Sequence, residues 1–279
     1  MITFFTKAFQ QAQSCASGAG LCLALALAIV LGGCVTETTG APFGERSDPQ
    51  ALRDYIQLAT GYLEQNDLVN TKRHLNNAAD IDANNSEVAA LWGLVYAQER
   101  EPDLADQQFR RALRIDPRNS KARNNYAAFL FAQNRFQDAY TQLESVVADT
   151  AYANRAQAFE NLGLAALRLE RTDDAEFAFT RALQLNSNQL RSSLELASLH
   201  LREQKQDLRQ AGAYYRNYLS LLQLYRIAQT PRGLWIGVQL ENALGNADGA
   251  RAYAAQLEAG FRNTPEYQQY RQSLDTNPQ

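Results

Sequence analysis

Cysteine, histidine and methionine are nearly missing from these 279 residues, at 3, 2 and 1 copies. A four-ligand zinc site or a disulfide framework has almost nothing to be built from, so neither a metal nor a cofactor is expected. Proline and glycine are also scarce, at 7 and 15. Few breaks therefore interrupt the Ala-, Leu-, Gln- and Arg-rich segments, and the chain is predicted to be all-α. Charge of one sign is lacking too, with 27 Lys and Arg against 30 Asp and Glu and a net charge of −3. Such a balance offers no field to hold a phosphate backbone, which removes nucleic acid from the expected partners. No Gly-rich phosphate loop, no Cys and His at helical spacing and no paired His on one helix face occurs. No enzymatic activity and no small-molecule substrate are expected. The acidic pair Asp173-Asp174 suits the positive end of a helix dipole, and His74 and His200 read as helix-packing or surface residues.

What is present begins with a leader. Residues 1–33 carry one charge, Lys7, and residues 21–31 form an uninterrupted apolar run. At about 1.5 Å per residue the run spans roughly 16 Å, about half a bilayer core, so it reads as a signal peptide that is removed and not as a permanent span. Leu31-Gly32-Gly33-Cys34 follows at once and resembles the lipobox of bacterial lipoproteins. The resemblance implies a diacylglyceryl and an N-acyl lipid on Cys34, enough for stable anchoring without spanning. Cleavage removes Cys15 and Cys22 and leaves no partner for an internal disulfide. Val35 stands where bacterial lipoproteins kept at the inner membrane commonly carry Asp, which implies an outer-membrane anchor facing the periplasm. Residues 34–50 then comprise the lipidated cysteine and a polar tether with two Gly and two Pro.

The remainder repeats. Ala59, Gly93, Ala127, Gly163, Ala197 and Gly237 recur at steps of 34 to 40, and Thr71, Ala105, Ala139, Ala175, Ala211 and Ala250 keep nearly the same rhythm. Large apolar residues stand one turn away, as Leu75, Phe109, Leu143, Phe179 and Tyr215 do after the second series. A small residue midway along each helix allows close crossing while large neighbours fill the groove, so two helices per repeat are predicted. Phe109 and Phe179 are the expected wedges. In residues 86–119, Ala89, Trp92, Gly93, Tyr96, Ala105, Phe109, Ala112 and Pro117 resemble the tetratricopeptide repeat almost position by position. Asn and Ser at the repeat ends, such as Asn85 and Asn119, are placed to cap the next helix.

The expected organisation is a tetratricopeptide-repeat (TPR) superhelix over residues 51–270. Its repeats span roughly 52–85, 86–119, 120–155, 156–189, 190–225 and a degenerate 230–267, and a tail covers 271–279. With no chemistry to carry, function must come from a surface. The first helix of each pair is expected to present Leu63, Leu94, Ala128, Phe131, Leu164, Leu167, Leu194 and Leu201 as an apolar groove for a peptide or helix. Ile56 and Ala90 occupy places where a carboxylate clamp would want Lys, so capture of a chain-terminal carboxylate is not expected.

The lipobox, the tether and about six repeats together resemble the type IV pilus biogenesis and stability lipoproteins, the PilF/PilW family. Residues 124–130, and 149–155 with 159–164 around the lengthened third repeat, carry the resemblance, although Ala127 and Ala153 stand where Gly and Pro are usual. The resemblance implies a pilotin that accompanies the secretin of the pilus machinery to the outer membrane and promotes its multimerisation. A periplasmic scaffold of the same build, for murein hydrolases or outer-membrane barrel assembly, remains the alternative reading.

Overall fold

The computed structural model describes residues 49–202 and 206–276; Cys34 and Val35 lie outside them. The described residues form thirteen α-helices: α1 (Pro49–Glu64), α2 (Leu68–Ile81), α3 (Ser86–Gln98), α4 (Pro102–Ile115), α5 (Ser120–Ala132), α6 (Phe136–Ala148), α7 (Arg155–Arg168), α8 (Thr172–Leu185), α9 (Leu190–Leu201), α10 (Leu208–Tyr225), α11 (Pro231–Ala243), α12 (Ala247–Phe261) and α13 (Pro265–Thr276). The first twelve pair into six antiparallel hairpins of the TPR kind, and α13 packs against α11 and α12. Two ends differ from expectation. Helix α1 takes in Pro49 and Gln50, because Pro fits the first turn of a helix, where no N–H is required. Helix α13 runs through residues 271–276, which were expected to be tail. Tyr267 gives it an apolar anchor, buried with Leu234 and Leu257 beside Trp235 and Tyr270, and so caps the last repeat.

The hairpin turns repeat as faithfully as the helices. Asn66, Arg100, Asn134, Glu170, Gln206 and Gly245 all have positive φ, each five residues before a member of the Thr71–Ala250 series. In five of the turns the backbone N–H after that residue returns to a carbonyl in the last turn of the preceding helix: Asp67 to Tyr62, Glu101 to Tyr96, Arg135 to Leu130, Arg171 to Ala166 and Asn246 to Glu241, at 2.8–2.9 Å. This is the left-handed C-terminal cap that satisfies carbonyls a helix end leaves unpaired. Capping at the next helix starts is uneven. The Asn85 side chain accepts from the N–H groups of Glu87 and Val88, and that of Asn119 accepts from Ala122, whereas Gln189 at the start of α9 makes no such bond.

Within each hairpin the small residues do what their spacing predicts. Ala59, Ala127 and Ala197 are fully buried. A Cβ on Gly93 would stand 3.0 Å from the ring of Phe109, and one on Gly163 would stand 2.6 Å from Phe179. Both rings are 0% exposed. Truncation of such a ring to Ala costs about 3–5 kcal/mol. In the last two repeats tyrosine takes over the wedge: Tyr215 presses on Gly237 and donates its hydroxyl to the Gly233 carbonyl at 3.0 Å, and Tyr218 presses on Gly233. Burial pushes the Tyr215 phenol well above its ordinary value.

Candidate partner-binding face

The helices fall into two layers with different neighbours. Each first helix (α1, α3, α5, α7, α9, α11) touches the first helix of the next pair. The second helices (α2, α4, α6, α8, α10, α12) pack only on first helices, apart from the contact of α12 with the capping α13. Close spacing in one layer and wide spacing in the other bends the stack, and the first helices line the inside of the bend.

That inner row is bridged by side chains one repeat apart. Lys121 on α5 pairs with Glu87 on α3. Asn161 on α7 donates to Asn124 on α5 at 3.2 Å. Glu160 on α7 accepts from the backbone N–H and the hydroxyl of Ser192 on α9, at 3.0 and 2.8 Å. Glu195 on α9 takes both arms of Arg232 on α11. Glu160 and Glu195 are almost completely buried, so each needs the partners it has. Beside the first bridge lies a cleft of about 530 Å³, lined by Arg53, Ile56, Gln57, Thr60, Glu64 and the Glu87–Lys121 pair among others. It is polar at its rim and apolar at Ile56.

The eight residues expected to form an apolar groove are distributed differently. Leu63 and Leu194 are 7% and 5% exposed and belong to the hydrophobic clusters of the first and the last two repeats, which corrects their assignment to an open surface. Leu94, Phe131, Leu164, Leu167 and Leu201 are half-buried and pack against those clusters or the central ones. Ala128 alone among the eight is exposed. The physical reason is the close spacing of the first helices: a side chain turned away from its own pair meets the neighbouring pair before it meets water. Phe131 illustrates this: the Arg168 guanidinium of the next pair stands 5.8 Å above its ring and 4.0 Å above that of Phe136 in its own pair. The expected stripe joins repeats, and the solvent-facing part of the inner surface is largely polar. Ile56 and Ala90, read as missing clamp lysines, are core residues.

Sequence reasoning missed the polar bridges. Their signal was present, since the partners stand 34, 37, 32 and 37 residues apart, but it becomes visible only after the repeat is aligned. The histidines are packing residues as expected. His74 stacks on Tyr62 with ring centres 5.3 Å apart, and burial together with the Arg73 charge holds its pKa below the usual value. His200 stacks on Tyr214, with Glu176 at 3.5 Å. Among the described residues no group of His, Cys, Asp and Glu is placed to hold a metal, and no helix is long and apolar enough to cross a membrane.

Comparison with known proteins agrees with this architecture. Two tetratricopeptide-repeat models match residues 96–160 and 156–189. The type IV pilus assembly protein PilF of Pseudomonas aeruginosa is 34% identical over 254 residues, covering 89% of this chain and 96% of that protein. A solved structure of P. aeruginosa PilF superposes with a TM-score of 0.74 at 33% identity, over 80% of this chain and 98% of the other. PilW, a type IV pilus biogenesis factor, superposes with a TM-score of 0.66 at 26% identity, over 79% and 98%. With this identity maintained across nearly the whole of both chains, the protein belongs to the PilF/PilW family of type IV pilus assembly TPR proteins, a family of scaffolds and not of enzymes.

Proposed function

We propose that the protein is a lipid-anchored pilotin: it binds the secretin of the type IV pilus machinery and promotes that protein's outer-membrane localisation and multimerisation. The observation that carries the reading is the match to PilF, 34% identical over 89% of this chain and 96% of that protein. Cys34 would supply the anchor and Val35 the outer-membrane sorting, while the inner row of first helices would supply the contact. A repeat scaffold with a polar, bridged inner face and a cleft at its N-terminal end suits a peptide segment held by side chains from several helices.

The test is secretin multimer recovered from outer membranes of cells lacking the protein and complemented with variants. Cys34→Ser should leave the repeats folded, release the protein from the membrane and lower the multimer. Ala128→Trp, at an exposed inner position, should keep the melting temperature and the membrane location yet lower the multimer. Normal multimer without any of the protein would end the pilotin reading. Normal multimer with Ala128→Trp alone would move the contact off the middle of the inner row.

A further inference from the structure

A cluster of arginines stands out in a chain whose net charge is −3. Arg110 and Arg114 on α4, Arg123 on α5 and Arg135 at the cap of α6 line one cleft of about 580 Å³, together with Leu113. The cleft lies between the second helices α4 and α6, with Arg123, Tyr126 and Leu130 of α5 in its wall, on the side of α5 turned away from the inner-row residues Lys121 and Asn124. Two of its cations are already committed. Asp106 accepts from the Tyr126 hydroxyl and from Arg135, both at 2.8 Å, and pairs with Arg110 at 2.6 Å, while Arg135 also reaches Asp138 at 2.7 Å. Burial disfavours the Asp106 carboxylate, but these hydrogen bonds and charges outweigh burial and hold its pKa below the usual range.

The other two cations have no carboxylate. Arg123 donates to the Gln142 side chain at 2.6 Å and to the Pro117 carbonyl at 2.7 Å, both neutral acceptors. Arg114 makes no ion pair among the described residues. Four guanidiniums face two carboxylates, which leaves two positive charges in excess along the cleft. The Asp106 cradle is itself an example of what the cleft accepts: a carboxylate held by forked guanidinium donors and a phenol. Leu113 adds apolar surface between the charges.

We propose that this outer cleft binds an acidic peptide segment of a protein partner, with Arg114 and Arg123 as the pairing residues. The segment's carboxylates complete the ion pairs that the fold leaves open, and its apolar side chains cover Leu113. Because the cleft opens between α4 and α6, on the side of α5 turned away from the inner row, a partner can occupy it while another segment fills the inner face, and its test does not depend on the pilotin reading.

The measurement is fluorescence anisotropy of a labelled ten-residue glutamate peptide with the purified protein, against the glutamine peptide of equal length. The glutamate peptide should bind, more weakly as salt rises, and the glutamine peptide should not. Arg114→Gln combined with Arg123→Gln should weaken binding about tenfold, the loss expected for two solvent-exposed ion pairs. The same double change at the exposed Arg191 and Arg209 should leave binding intact, and both double variants should melt like the parent. Equal binding of the two peptides, or equal loss from the two double variants, would overturn the site. Displacement of the peptide by inorganic phosphate as readily, charge for charge, as by unlabelled peptide would overturn the peptide assignment.

Discussion

The two ends of the inner row solve the same packing problem in opposite ways. At the N-terminal end, α1, α3 and α5 leave a cleft of about 530 Å³. The Lys121–Glu87 bridge there keeps 51% and 36% of its side chains exposed, and a Cβ on Gly61 would touch nothing within 4 Å. At the C-terminal end the bridging carboxylates of Glu160 and Glu195 are 7% and 6% exposed, while the crossing glycines are pressed against aromatic side chains along the whole row, Gly93 as much as Gly163, Gly233 and Gly237. An ion pair in water adds little, because screening and side-chain entropy offset the attraction. The same groups without water become obligatory partners, since either one left alone is an uncompensated charge. One repeat therefore yields an end left open to water and an end that locks the stack.

Changes at the locked end should cost most. Arg232→Ala orphans the Glu195 carboxylate and should destabilise by about 3 kcal/mol, the low side of the range for a buried charge because the guanidinium side is open to water. Denaturant unfolding checks this, and a loss within error of zero would dissolve the contrast between the ends. Gly163→Ala drives a methyl into Phe179 and should cost about 1–3 kcal/mol. Gly61→Ala, the same exchange at a glycine that stands outside the helix crossing, should instead stabilise by about 0.5–1 kcal/mol, because only the helical cost of glycine is removed. Opposite signs for these two variants would separate a glycine at a helix crossing from one outside it. Lys121→Ala should change stability by only a few tenths of a kcal/mol, as exposed pairs do. A loss as large as that of Arg232→Ala would show the N-terminal bridge to be locked as well.

Most of the helical plan was legible in the sequence, because small residues at steps of 34 to 40 mark helix crossings wherever they occur. Phe109 and Phe179 were identifiable as wedges from spacing alone, and their rings do meet Gly93 and Gly163. The apolar groove was not legible. Leu94, one turn beyond Leu91, or Phe131 carries the same local pattern whether it faces water or the next repeat. The capping helix was missed for a related reason: residues 265–276 are polar on average, and only Tyr267, Tyr270 and the neighbours supplied by α11 and α12 give that segment something to pack on.

Local chemistry thus determined which stretches are helices and where each pair crosses, since capping and close approach depend on residues near in sequence or fixed in type. Tertiary structure decided which side of each first helix stays wet. The distance between successive pairs sets that outcome, and it dehydrates Glu160 and Glu195 while leaving Glu87, Lys121 and the excess charges of Arg114 and Arg123 beside open clefts.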